Sequence, residues 1–325
     1  ARTAAYTGFE ASDRFTARRV MQGPFSPMDA WRLPKAVRCW GIDVFHAPNY
    51  MMPLWLPSGI RRVVTMHDLI PLLFRDFSPR SRKNRLFPVY RFILHQVAAK
   101  ADRIIAVSDF TRRDVVQHLL GGEAGDKITV VHEAARPGYS PSVKLAREQI
   151  EFLFVGRRDP YKNLPLLIQA LARVREQGYP ARLRVIGTDD PRYPEARHLS
   201  TELGVEDVVT WSGHVPDEAL VQAYQQADVF VMPSNYEGFG LPVLEAMACG
   251  TPVICSNRGA LPEVAGDAAL LIDPHEPGQL AEAMIRLVRH PEERSALAER
   301  GLLRAGQFSW DETARQTIAV YESLA

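Results

Sequence analysis

The sequence predicts an α/β protein of two doubly wound parallel sheets, on three observations. From residue 150 onward short apolar runs alternate with helical stretches, and repeated strand-helix units imply a parallel sheet covered on both faces. Residues 42–134 repeat the theme less regularly. Between them "RPGYSPSVKLAREQ", 136–149, loses apolar period and marks a domain boundary. At 325 residues the chain is long enough for two cores.

Taken in order, residues 1–40 carry no clear opening strand. Strands are expected over 42–48, 61–71, 101–109 and 126–134. The run "RSRKNRLFPVYRFILHQVAAKADR", 80–103, mixes Arg and Lys with Phe, Leu, Ile and Tyr. It fits either a core helix with a solvated basic face or a helix lying on an anionic membrane or acidic acceptor. In the second half strands are expected over 150–156, 181–187, 206–213, 227–234 and 251–256. Helices are expected over 164–178, 195–204, 217–227 and 241–250. The closing "FSWDETARQTIAVYESL", 308–324, starts with a capping box, Ser309 and Glu312, and predicts a helix.

Composition narrows the function. The chain is 46% hydrophobic and 24% charged, and no apolar run reaches the ~18 residues that span a bilayer. Cys39, Cys249 and Cys255 lack C-x-x-C spacing, which argues against a disulfide framework or a zinc site and fits a reducing cytoplasm. Residues 1–148 hold 23 Lys+Arg against 13 Asp+Glu, whereas the remainder holds 16 against 25, so the two halves are expected to face different partners. Nucleic acid is not among them, because no binding motif accompanies the basic excess.

The chemistry gathers at "YEGFGLPVLEAMACGTPV", 236–253. Pro242 suits the first turn of a helix, Leu241, Leu244, Met247 and Ala248 recur at helical spacing, and Gly250 ends it. Free N–H groups at a helix start attract anions, and Gly238 and Gly240 let a ligand approach the backbone closely. Two carboxylates there, Glu237 and Glu245, suit pairs of sugar hydroxyls on either side of a phosphate. A helix glutamate is usually only a solvated face residue, but Pro233, Ser234, Gly238, Phe239, Gly240 and Pro242 form a cluster of backbone-shaping residues that packing alone does not explain.

A second cluster, "FVGRRDPYKN" at 154–163, follows the first strand of this half. Arg157 and Lys162 there suit a departing pyrophosphate, with Arg158 the more solvated and paired with Asp159. Ligands bind parallel sheets at the carboxyl ends of their strands, the edge these loops share. His67 in "MHD" ends a strand and could be a core group or a ligand; His46, His132 and His214 are better explained structurally. Ser108 and Thr111 are expected to cap a helix.

"FVGR....KN", "GHVPDEAL" and "ADVFVMPSNYEGFGLPVLEAMACGTPVICSNRGALPEVAGDAALLIDP" resemble the retaining glycosyltransferases of the GT-B fold, family 4. The resemblance covers nearly all of 150–325 and is fainter over 42–135, where "HAPNY", "TMHDLIP" and "AVSDFTRRD" fit the acceptor domain. It implies two Rossmann-like domains facing across a cleft: 1–140 on the acceptor side, 149–307 binding the donor, and 308–325 a helix crossing back to the first. Glu245 would bind the ribose of the nucleotide, and Glu237 would lie by the donor sugar. The amides of Phe239, Gly240 and Leu241 would meet sugar hydroxyls and phosphate, with Gly238 and Ser234 in the same donor loop. Arg157 and Lys162 would hold the diphosphate beside Gly156, the backbone of His214 and Val215 would meet the base, and His67 would reach the donor sugar.

The activity implied is transfer of a hexosyl unit from a nucleoside diphosphate sugar, GDP-mannose first, to a glycan or lipid-linked hydroxyl, without metal or cofactor. A non-catalytic nucleotide-sugar-binding protein and a GT-B nucleotide-sugar epimerase remain as alternatives. A dehydrogenase is disfavoured because no G-x-G-x-x-G follows a strand. The family's Gly-Gly-x-x-Arg loop is not found in the opening "ARTAAYTGFEASDRF". A further strand-helix segment carrying a Gly-rich turn is therefore expected upstream.

Overall fold

The computed structural model describes residues 29–50, 52–73, 87–122, 125–144 and 148–324. The expected opening and residues 80–86 of the basic run lie outside them.

Two parallel sheets organise the chain. The first contains β1 (Val44–Ala47), β2 (Arg61–Met66), β3 (Arg103–Ala106) and β4 (Ile128–Val130) in sequence order. Helices Phe87–Lys100 and Asp109–Leu119 cover one face, where Leu94, Val97 and Val115 pack on Val64, Met66 and Ile104. On the other face Val320 of the Trp310–Glu322 helix packs with Val63, Ile105 and Val131. Tyr321 of that helix reaches His46 at 2.5 Å. Ser309 begins the helix by accepting from the Glu312 N–H at 3.1 Å.

The second sheet runs in the order β10-β9-β8-β5-β6-β7. Its strands are β5 (Ile150–Val155), β6 (Ala181–Ile186), β7 (Val209–Ser212), β8 (Val229–Met232), β9 (Val253–Ser256) and β10 (Ala269–Ile272). Helices Leu164–Glu176 and Pro277–Arg289 bury Leu167, Leu171, Leu280 and Met284 against one face. Helices Asp217–Gln226, Leu241–Ala248 and Leu261–Ala265 bury Tyr224, Leu244 and Leu261 against the other. The order reverses between β5 and β8, which pair directly through Phe152 with Val229 and Leu153 with Phe230. A crevice opens at such a reversal, outside the strands' carboxyl ends.

Several strands are shorter than their apolar runs. The run 61–71 ends at Met66, and Ile70–Leu73 forms a helical turn whose first N–H is accepted by Asp68 at 2.9 Å. Residues 206–208 make a tight 3₁₀ turn before β7. β10 escapes sequence reading because it is a four-residue edge strand with only Ile272 buried. Among the described residues no helix is long and apolar enough to cross a membrane.

Candidate active site

The loops after β5 and β8 meet at the strand-order reversal. Gly240 adopts φ +104°, a left-handed conformation that strains any side chain, and a Cβ there would also lie 2.6 Å from Leu261. The turn delivers Pro242 to the start of the Leu241–Ala248 helix. After β5, residues 160–162 form a 3₁₀ turn and Asn163, at φ +55°, begins the next helix. Asn235 N–H donates to the Tyr161 carbonyl at 2.7 Å, tying the two loops together. Lys162 Nζ then donates to Glu237 Oε1 at 2.6 Å, with both side chains only about a tenth exposed.

The two arginines differ from expectation in exposure and in their partners. Arg158 is buried, ion-paired to Asp189, and stacked 4.7 Å from the Trp211 ring. Arg157 is the one paired with Asp159, at 2.9 Å, and its side chain is 65% exposed. Trp211 and Asp189 from neighbouring strand ends draw Arg158 inward, a tertiary effect no local pattern announces. Arg157 therefore remains the cation that can reach a ligand.

Glu245 sits one turn into its helix and is 7% exposed. Its Oε2 accepts from Tyr224 Oη at 3.0 Å, and Oε1 lies 3.7 Å from Arg136 Nε. Burial pushes its carboxyl above the ordinary range, against the opposing hydrogen bond from Tyr224 and the Arg136 charge. Arg136 also donates to Asp217 at 3.1 Å and to Tyr139 at 3.2 Å. Arg136, Tyr139, Asp217, Val221 and Gln225 line an open cavity of about 420 Å³.

The first sheet brings its own carboxyl edge to the corner. A Cβ on Gly238 would fall 1.8 Å from the His67 carbonyl oxygen, so the loop after β8 abuts the end of β2. His67 Nε2 donates to the Pro48 carbonyl at 2.8 Å, and Nδ1 lies 3.2 Å from Glu133 Oε1. Both nitrogens thus face acceptors, the arrangement of an imidazolium. Neither is left for a sugar hydroxyl unless His67 releases Pro48 or Glu133.

The remaining expected residues divide. Phe239 buries its ring against His132 and Phe308, so only its amide can serve a ligand. Among the described residues that N–H has no protein acceptor. Ser234 is fully buried with an unpartnered hydroxyl, and its carbonyl accepts from Ser256 at 2.5 Å, so its side chain is covered rather than turned to the cleft. Gly156 follows β5, and its N–H donates to the Ile186 carbonyl at 2.9 Å. His214 and Val215 follow β7, His214 exposed and Val215 half-buried. Among the described residues no cluster of three His, Cys, Asp or Glu side chains could hold a metal ion.

Residues 137–304 match the family Glycosyl transferases group 1, and residues 6–137 match Glycosyltransferase Family 4. The chain belongs to the group 1 glycosyl transferases. O-antigen chain mannosyltransferase B of Escherichia coli is 34% identical over 89% of this chain and 76% of its own length. D-inositol 3-phosphate glycosyltransferase of Actinosynnema mirum is 32% identical over 94% and 81%. Among solved structures, sucrose-phosphate synthase of Thermosynechococcus elongatus superposes with a TM-score of 0.75 at 24% identity, over 90% of this chain and 77% of the other. Anabaena HepE, solved with UDP and glucose, gives 0.74 at 20% identity, over 93% and 84%. The fold is GT-B.

The corner of this glycosyltransferase also holds residues that sequence reasoning did not single out: Arg136, Tyr224, Tyr236, Glu133 and Glu263. Each pairs with a residue distant in sequence, and only the turn-forming "RPGY" around Arg136 offered a local signal. The His67 pair makes a measurable case. The hydrogen bond that His67 donates to Glu133 raises the His67 pKa above its ordinary value, outweighing burial. A raised imidazole contributes stability that is present below about pH 6.5 and is lost as pH rises through the folded-state value. NMR titration should place His67 above 6.5, and Glu133→Gln should lower it. A parent value at or below 6.5 would dissolve the pair.

Proposed function

We propose that the enzyme moves a hexosyl unit, mannose first, from a nucleoside diphosphate sugar to a hydroxyl of a growing glycan or lipid-linked sugar, with retained anomeric configuration. The observation that carries this reading is the meeting of Lys162 and Glu237 at 2.6 Å in the crevice of the strand-order reversal, beside a helix start with open amides. In the reaction the bond from the anomeric carbon to the phosphate oxygen breaks and a bond to the acceptor oxygen forms. The acceptor proton passes to the departing diphosphate. Lys162, Arg157 and the amides of Phe239, Gly240 and Leu241 are assigned to the charge growing on that leaving group. Because these groups supply positive charge themselves, the reading asks for no metal or further cofactor. Glu237 is assigned to position the sugar and Glu245 to accept from the ribose hydroxyls. Gly238 carries the donor loop across the cleft; Gly156 shapes the phosphate side, and the backbone of His214 and Val215 takes the base.

Mannose is favoured by the name of the Escherichia coli relative. HepE, solved with UDP and glucose, keeps uridine and glucose as the competing donor chemistry. A thermal-shift screen against GDP, UDP, dTDP and ADP tests the donor class. A ligand at 100 times its dissociation constant adds about 2.7 kcal/mol, and no shift with any of the four would remove the reading. The basic run 80–103 is proposed to face a membrane or acidic acceptor at the cytoplasmic surface. Its described helix leaves Val89 and Phe92 exposed.

Glu245 gives a sharper test. A carboxyl whose folded pKa is raised is penalised in its charged form, so its contribution to stability falls as pH rises from the unfolded value through the folded one. Glu245→Gln keeps an acceptor for Tyr224 and removes the charge. At neutral pH its melting temperature is expected not to fall, while nucleoside diphosphate binding weakens by roughly 1–3 kcal/mol. Calorimetry showing parental affinity would withdraw the ribose assignment.

A further inference from the structure

The start of the Asp109–Leu119 helix is gripped by the opposite domain at separate points. Glu263 accepts from the Asp109 N–H at 2.8 Å and the Phe110 N–H at 3.0 Å, and pairs with His132 at 3.0 Å. Tyr236 Oη donates to Asp114 Oδ2 at 2.5 Å. Between these contacts the Gly238 carbonyl accepts from Ser108 Oγ at 2.6 Å and from Thr111 Oγ1 at 3.0 Å. Ser108 and Thr111 are both 0% exposed.

A carbonyl and the next residue's N–H belong to one rigid plane and point in opposite directions. Two hydroxyl groups that fix the Gly238 carbonyl therefore also fix the direction of the Phe239 N–H. That N–H is unspent within the protein among the described residues. We propose that Ser108 and Thr111, on the acceptor-side domain, are positioning residues for transfer: they orient the 238–239 peptide so that its N–H faces the donor. The inference rests on the reading of this corner as the donor site. It goes beyond helix capping, which Ser108 already performs by accepting from the Thr111 N–H at 3.0 Å.

Thr111→Val is the informative variant, since it keeps shape and removes the hydroxyl, whereas Ser108→Ala also removes a cap. Release of GDP from GDP-mannose and of UDP from UDP-glucose gives kcat and KM, and calorimetry gives GDP and UDP affinity. Hydrogen exchange of residues 236–241 is followed in the ligand-free protein. Thr111→Val should speed exchange at Phe239 about tenfold and lower kcat by about 10- to 100-fold, as small misplacements of reacting groups do. Diphosphate affinity should stay within about threefold of the parent, because the ribose and Arg157 contacts are untouched. Thr111→Ser should restore both readouts. Parental exchange in Thr111→Val overturns the proposal. So does a lowered melting temperature with kcat and KM unchanged well below it. If the parent itself releases neither diphosphate but Thr111→Val still frees the Phe239 amide, the positioning stands and the donor-site reading fails.

Discussion

Lys162→Ala is expected to lose both stability and transfer. The ammonium lies 2.6 Å from Glu237, and each side chain is about a tenth exposed, so solvent screens the pair little. Removing one partner of a buried pair leaves an uncompensated charge, at a cost of about 3–5 kcal/mol. Transfer should fall further, by about 10²- to 10³-fold, the scale of losing one preorganised group aimed at developing charge. The two effects can be separated. Adding Glu237→Gln neutralises the stranded carboxylate and should return much of the stability, measured by urea unfolding. It should return none of the rate, because on the proposed reading the diphosphate still lacks its cation and the sugar has lost its positioning carboxylate. If the double variant recovered transfer, Lys162 would serve only to balance Glu237.

The parts of this enzyme legible in the sequence are those set by neighbours along the chain. The corner 236–250 could be read because Gly-Phe-Gly, Pro242 and Gly250 each fix a local backbone shape, and the Leu241–Ala248 helix follows from them. The same held for the Ser309 cap. What stayed illegible depends on contacts between distant segments. Arg157 and Arg158 are adjacent and chemically alike; only Trp211 and Asp189 decide which is buried. His67 was legible as a strand-end histidine, but the saturation of both its nitrogens required Pro48 and Glu133. Arg136 drew no attention because its partners, Asp217 and Glu245, arrive from the second domain. Sequence periodicity specifies faces and turns, whereas the pairing of charges between distant segments follows from tertiary packing within and between the domains.

Gly238→Ala is expected to abolish transfer while leaving both domain cores folded. The new methyl would lie 1.8 Å from the His67 carbonyl oxygen and 2.9 Å from Asp68 Cβ. The nearest atom is backbone, so no rotamer change relieves it, and the cost should exceed the roughly 1–3 kcal/mol of ordinary overpacking. Gly238 is not among the positive-φ residues, so alanine suits its backbone and the clash itself is what the variant measures. The clashing groups belong to opposite domains, and the cheapest relief is to move them apart. That motion would also release Ser108 and Thr111 from the Gly238 carbonyl and Tyr236 from Asp114. Transfer should drop by about 10²-fold or more, since reacting groups divided between the domains no longer meet. Glu245, Arg157 and Lys162 lie on the second domain, so GDP or UDP binding should survive in large part. Small-angle scattering should show a larger radius of gyration than the parent, with circular dichroism unchanged. Parental dimensions together with parental turnover would mean that the loop can retreat within its own domain and that the close approach of Gly238 to His67 is not needed for the reaction.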